Sequence, residues 1–326
     1  MPFVSVVMAT FNGERHLREQ LDSLAAQSHL PDELVVGDDG SSDETLHILE
    51  TFASSAPFPV HVHRNEERLG FTHNFFATIQ RSRGDILFLC DQDDVWSTEK
   101  IETMLAFMTQ RPDAWYVVHD ADYVDEALRP LGVTAFSIAR NHLQPPTNLV
   151  HGCVTAIRRE LVATMPPPPE AFYGQDVYLH VCAAALGRTA TLDRVLLQYR
   201  RHAWTTTDSS EPKGRGNLMR WFRCAMLRDR EACREHVKRV DEIIDALAAR
   251  IPIVEQLQGR VDGSDARQVE SYVRSLKREL ASRRERRDAR ALPFARRVGS
   301  IIGLWRNGTY ASGQGWLSVL RDLVLP

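Results

Sequence analysis

Three carboxylates, Asp91, Asp93 and Asp94, fall within four consecutive positions of the sequence. Packed that closely they repel one another unless a cation or hydrogen-bond donors neutralise them. Hard divalent ions such as Mg2+ and Mn2+ take one or two carboxylates and complete their shells with phosphate oxygens. An Asp-x-Asp at a strand end supplies that arrangement; an acidic turn with a helix cap is the structural alternative. A second cluster reads Asp38-Asp39-Gly40-Ser41-Ser42-Asp43. Gly40 permits a tight turn, Ser41 or Ser42 can cap a following helix, and Asp43 suits its first turn. Asp39 has no such work, and a carboxylate placed there can accept a hydrogen bond from a pyrimidine ring N–H. The third cluster is Tyr199-Arg200-Arg201-His202-Ala203-Trp204. A neutral imidazole can complete a metal shell and a charged one can touch phosphate, while Arg200 or Arg201 can stabilise a diphosphate.

These clusters need elements to bring them together. The run Phe3 to Ala9 predicts a first buried strand, and Leu17, Leu21 and Leu24 share one face of a following helix. Glu33 to Gly37 predicts a second strand, running into the Asp38 cluster, with Ser41 to Glu44 at capping-box spacing before a helix. Strands at Val60 to His63 and Ile86 to Cys90 follow, with a helix near Thr72 to Arg81 between them. Such alternation predicts an α/β fold with a mostly parallel sheet covered on both faces. Ligands of open α/β sheets sit beyond the carboxyl ends of the strands, where Asp38-Asp39 and Asp91 to Asp94 both fall. Strands at Trp115 to His119 and Val195 to Tyr199, with a helix over Gln175 to Leu186, complete the first half.

In order and spacing, three segments resemble the family 2 inverting glycosyltransferases. They are Ala9-Thr10-Phe11-Asn12, Val36 to Asp43, and Asp91-Gln92-Asp93-Asp94-Val95-Trp96. The last, with Leu69-Gly70-Phe71 and Asn74, is similar to the bacterial rhamnosyltransferase-type members that build surface polysaccharides such as O-antigen. The resemblance covers roughly residues 3 to 205. It implies a GT-A nucleotide-sugar-binding fold in which Thr10, Asn12 and Asp39 hold base and ribose. It places Asp91 near the ribose, and a metal bridging the diphosphate at Asp93 and His202. The family's catalytic acid or base opens a later helix, here Tyr173-Gly174-Gln175-Asp176, which implies Asp176 as general base. Gln175 stands where the usual pattern has an acid, and the tryptophans of the rhamnosyltransferase-like version are missing; both depart from the family.

The expectation is a metal-dependent enzyme carrying a sugar from a dTDP- or UDP-sugar to a saccharide or lipid-linked glycan. The alternatives are a nucleotide-sugar-binding protein with decayed catalysis, or another metal-dependent nucleotidyl or phosphoryl enzyme. A net charge of -3 argues against nucleic acid as a partner. Five cysteines without a C-x-x-C pair point to a reducing compartment, and the first strand does not read as a secretory signal. The predicted location is cytoplasmic. A polar stretch, Asp208 to Gly216, predicts a boundary between a catalytic domain at 1–210 and a helical C-terminal extension at 211–326. Val237, Val240, Ile243, Ile244 and Leu247 form one predicted stripe there; Val269, Val273, Leu276 and Leu280 form another. The basic run Arg274 to Arg297, followed by Trp305, Tyr310 and Trp316, suits peripheral contact with the inner membrane.

Overall fold

A computed structural model of the chain describes residues 1–141, 151–170, 172, 174–202, 230–310, 318–319 and 322–323. Tyr173, Trp204, Trp316 and the Asp208 to Gly216 boundary lie outside the described residues. Two compact units emerge, Met1–Ser210 and Glu211–Pro326.

In the first unit β1 (Val4–Thr10), β2 (Glu33–Asp38), β3 (Val60–Arg64) and β4 (Ile86–Cys90) are parallel and lie in the order β3-β2-β1-β4. The connecting helices are α1 (Leu17–Ala25), α2 (Thr45–Ala53) and α3 (Phe71–Arg81). β2 and β4 are buried along their whole length, as strands covered on both faces must be. Past β4 the sheet turns mixed. β8 (Thr155–Arg158) runs antiparallel to β4 and to β6 (Tyr116–Val124). β9 (Thr189–Arg200) runs parallel to β6. β5 (Val95–Trp96) closes the edge antiparallel to β9, and β7 (Pro130–Thr134) pairs with β6. α4 (Lys100–Gln110), α5 (Ala135–Asn141), α6 (Arg159–Thr164) and α7 (Gln175–Ala185) complete the unit. The mostly parallel expectation thus describes β1 to β4, and antiparallel strands supply much of the remainder.

The capping box predicted at Ser41 to Glu44 does not form. Ser41 Oγ instead donates to Asp38 at 2.5 Å, and Asp43 caps by accepting from the Thr45 amide at 3.1 Å and the Thr45 hydroxyl at 2.6 Å. A buried carboxylate at the end of β2 outcompetes the helix for the serine.

The second unit contains α8 (Arg230–Gln258), α9 (Gly263–Arg290) and α10 (Phe294–Arg306). Val269, Val273, Leu276 and Leu280 are buried, as are Ile244, Leu247, Val254 and Leu257 of α8. Val237 and Ile243 of the predicted stripe are exposed, so the buried face of α8 lies further along. Asp322 is fully buried and holds Arg286 Nε at 2.6 Å and the Tyr310 hydroxyl at 2.9 Å.

Candidate active site

Strand order alone assembles the first part of the site. β1 lies between β2 and β4, so Thr10–Asn12, Asp38–Asp39 and Asp91–Asp94 emerge side by side at one edge of the sheet. The three loops are stitched together. Gln92 accepts from the Phe11 amide at 2.9 Å and donates to the Phe11 carbonyl at 3.2 Å. Thr10 Oγ1 donates to Asp38 at 3.1 Å; Asn12 receives the Ser42 amide at 2.9 Å and gives its own amide to Ser41 Oγ at 2.9 Å. Asn12 holds a positive φ of 48°, a left-handed conformation that asparagine tolerates better than most residues.

Asp39 is buried and has the structural work that the sequence reading denied it. Its carboxylate accepts from the Leu69 amide at 2.7 Å, the Gly70 amide at 2.9 Å and Asn65 Nδ2 at 3.1 Å. It thereby folds the segment before α3 over the end of β2. Beside it opens a cleft of about 490 Å3 lined by Phe11, Asp39, Arg64, Asn65 and Arg68, with the Arg68 guanidinium 3.8 Å from the Phe11 ring centre. Glu66 and Glu67 complete its lining, so a flat aromatic face stands among three carboxylates and two arginines, an arrangement that suits a planar base with hydrogen-bond donors.

The end of β9 joins the acidic loop because β5, directly after that loop, pairs Val95 with Gln198. His202 Nε2 lies 2.8 Å from Asp93 Oδ2. The Arg200 amide donates to Asp94 Oδ1 at 3.0 Å. Arg200 itself differs from expectation. Its side chain is buried, donating to the Asp93 carbonyl at 2.8 Å, to the Glu126 carbonyl at 2.6 Å and to Glu19. A guanidinium so held is a pillar under the acidic loop. Arg201 donates its amide to the Val124 carbonyl at 2.9 Å and sets its guanidinium 5.7 Å from the Tyr199 ring centre.

Burial, above all, lifts the Asp91 and Asp94 carboxyls above the usual range, and the neighbouring Asp93 charge lifts both further. Asp94 Oδ2 is buried, with no hydrogen-bond partner to it among the described residues apart from the adjacent Cys153 thiol. Asp91, Asp94 and Cys153 each offer an atom within 4.8 Å of the others. Crowded, buried acids and a histidine touching Asp93 fit a divalent cation: the site needs positive charge and offers oxygen and imidazole donors.

Asp176 sits in the first turn of α7, after Gly174, whose φ of 102° only glycine adopts readily. Gly174 is tied to α3 through the Thr72 hydroxyl at 2.9 Å. Burial raises the Asp176 carboxyl to about 6, against donation from the Val177, Asp176 and Gly152 amides. Its charge is felt at Asp91. A Cβ on Gly152 would stand 3.2 Å from Gln175 Nε2, so that segment passes close to the start of α7.

Lys100 carried no signal in the sequence, being one charged residue at the start of an ordinary helix. It is fully buried, with Nζ 2.6 Å from the Cys153 carbonyl and 3.5 Å from the Trp96 ring centre. Burial lowers its ammonium to about 8, while the Asp94 and Asp91 charges pull the other way. It provides positive charge beneath the acidic loop. Trp96, 3% exposed, packs near Phe88 in the core.

Residues 5–165 match the family model described as "Glycosyl transferase family 2". The Mycobacterium tuberculosis protein Rv1520, of uncharacterised activity, is 31% identical over 214 residues, 61% of this chain and 59% of that protein. The alignment therefore spans less than two thirds of that relative. The dTDP-rhamnosyl transferase RfbG of Shigella flexneri is 33% identical over 102 residues, 30% of this chain and 35% of RfbG. Among solved structures, the mannosyltransferase PcManGT of Pyrobaculum calidifontis, in complex with GDP-Man and Mn2+, is similar in fold. Its TM-score is 0.53 at 18% identity, over 99% of this chain and 86% of that one. By sequence match, residues 5–165 belong to glycosyl transferase family 2, and the fold that holds them is GT-A.

Proposed function

We propose that this chain is an inverting, metal-dependent transferase. It moves a sugar, rhamnose or a related hexose, from a dTDP- or UDP-sugar to a hydroxyl of a saccharide or lipid-linked glycan during surface-polysaccharide synthesis. One observation carries the reading: His202 Nε2 lies 2.8 Å from Asp93 Oδ2 in the acidic loop after β4, and the charge of Asp176 at the start of α7 is felt at Asp91 in that same loop. That arrangement joins a candidate proton acceptor to a candidate diphosphate site. The similarity to RfbG supports a rhamnose-type donor, and the GDP-Man and Mn2+ bound by PcManGT support nucleotide sugar and metal.

In this reading Phe11, Asp39 and Arg68 receive the base, and Thr10 and Asn12 shape the loop beside the ribose. Asp93 and His202 hold Mg2+ or Mn2+, with Asp91 and Asp94 adjoining. When bound, that ion supplies Lewis-acid neutralisation of the departing diphosphate. Arg200 and Gln92 keep the acidic loop in place, which preserves the alignment of donor and acceptor. Asp176 takes the acceptor hydroxyl proton as the oxygen attacks the anomeric carbon and the diphosphate oxygen leaves. A single base opposite the leaving group gives inversion, with no covalent sugar–enzyme intermediate.

The second unit gives the catalytic unit peripheral contact with the cytoplasmic face of the inner membrane, where lipid-linked acceptors lie. Among the described residues no helix is long and apolar enough to cross a membrane. A thermal-shift screen of nucleotide sugars with and without Mn2+, followed by product analysis, tests the function. Release of nucleoside diphosphate with a new glycosidic bond supports it; release of pyrophosphate, or binding without transfer to any glycan acceptor, overturns it.

A further inference from the structure

The acidic loop follows β4 and Asp176 opens α7, two elements far apart in the chain. A single short turn, Gly152–Val154, reaches both. The Gly152 amide donates to Asp176, and the Cys153 thiol hydrogen-bonds Asp94 within reach of Asp91. The same turn is gripped by Lys100, whose Nζ lies 2.6 Å from the Cys153 carbonyl oxygen. Lys100 is fully buried at the start of α4, with the Trp96 ring centre 3.5 Å from Nζ. Burying an ammonium costs far more than burying a methionine of similar length. What methionine would not supply is a donor to the Cys153 carbonyl and a positive charge acting on Asp94 and Asp91.

We infer that Lys100 is a positioning residue for transfer: by holding the Cys153 carbonyl it fixes the Gly152–Val154 turn, and through that turn the spacing between the acidic loop and Asp176. Transfer needs the acceptor oxygen, the anomeric carbon and the departing diphosphate in line, and a small shift of the base relative to the diphosphate site breaks that line. Lys100, fully buried, touches neither substrate and acts through Gly152 and Cys153. A lysine that only filled core volume would be replaceable by an apolar side chain without loss of turnover. The inference rests on the proposed roles of Asp176 and the acidic loop.

The test is Lys100→Met in the full chain, which keeps an unbranched side chain and removes its charge and its donors. Without nucleotide sugar or metal, hydrogen–deuterium exchange at residues 152–154 is expected to speed up at least about tenfold, with the amides of β1 and β2 unchanged. In steady-state transfer, kcat is expected to fall at least about tenfold while the KM for the nucleotide sugar stays within about threefold. Mn2+ affinity, measured by calorimetry with UDP present, is expected to hold or rise, because the substitution takes a like charge away from the cation site. General structural damage would weaken metal binding, donor binding and turnover together, and that outcome overturns the inference. So does unchanged turnover, or unchanged exchange at 152–154. Gly152→Ala is the second variant, should Lys100→Met fail to fold. It leaves Lys100 in place, and its added Cβ would stand 3.2 Å from Nε2 of the buried Gln175, pressing the turn away from α7. There kcat is expected to fall with Mn2+ affinity unchanged, and full turnover overturns the inference. A wild-type chain that neither binds Mn2+ nor transfers sugar counts against the proposed function, whereas exchange in the metal-free chain still decides whether Lys100 holds the turn.

Discussion

His202 Nε2 lies 2.8 Å from Asp93 Oδ2, although 109 residues separate them in the chain. β5 makes the contact by running straight from the acidic loop into pairing with β9, which ends two residues before His202. A histidine and a carboxylate at that distance form an ion pair or share a cation. If they share a cation, either Asp93→Ala or His202→Ala weakens Mn2+ binding by at least about tenfold. Titration calorimetry in the presence of nucleoside diphosphate measures this. Mn2+ affinity unchanged in both variants would remove the metal from this pair.

Asp176→Asn keeps the size of the side chain and removes its basicity. Expected is a fall in transfer of about 10^2- to 10^4-fold with donor affinity retained. Steady-state kinetics alongside equilibrium donor binding separate the two effects, and full activity in the variant would displace Asp176 from the base role.

The same carboxyl sets a pH dependence. Raised to about 6, Asp176 loses its charge as pH falls through that value, so kcat/KM should show an acid limb near pH 6. The stability effect has the opposite sense. A carboxyl raised in the folded state favours folding fully at low pH and loses that contribution as pH rises through its folded value. Asp176→Asn is therefore expected to melt no lower than wild type at pH 7. Differential scanning fluorimetry across pH tests this, and a clear loss of stability would mean that the carboxylate is structurally required.

Arg200→Met strands two carbonyls and Glu19 without their donor. A cost of about 2–4 kcal/mol is expected, together with loss of activity through a displaced acidic loop. Urea unfolding measures the first. A variant of normal stability with only weakened donor affinity would restore Arg200 as a direct diphosphate ligand.

Gly37 lies in β2 where α3 crosses it. A Cβ there would overlap Thr78 Oγ1 and stand 2.5 Å from Asn74 Oδ1. Gly37→Ala is therefore expected to cost about 1–3 kcal/mol and to disturb Asn74, which reaches Asn65 at 2.9 Å and so touches the support of Asp39. A lower melting temperature with weaker nucleotide binding is the outcome to look for.

The sequence by itself determined the first four strands, their alternation with helices, and the placement of three acidic segments. These are local matters: apolar runs bounded by turn residues, and carboxylates too crowded to lie unneutralised. The motif order also pointed to the family before any coordinates. Tertiary structure decided what depends on partners far along the chain. Whether Arg200 faces a ligand or a carbonyl depends on β9 threading beneath the acidic loop. Ser41 serves Asp38 instead of a helix because the buried carboxylate at the end of β2 needs donors. Lys100 matters only because folding buries it beside Cys153 and Trp96. On α10 Ile301 is buried while Trp305, four residues on along the same side of the helix, is exposed, which periodicity does not distinguish and packing decides. Local propensity acts over a few residues, whereas burial and charge compensation are settled by contacts the linear sequence does not display.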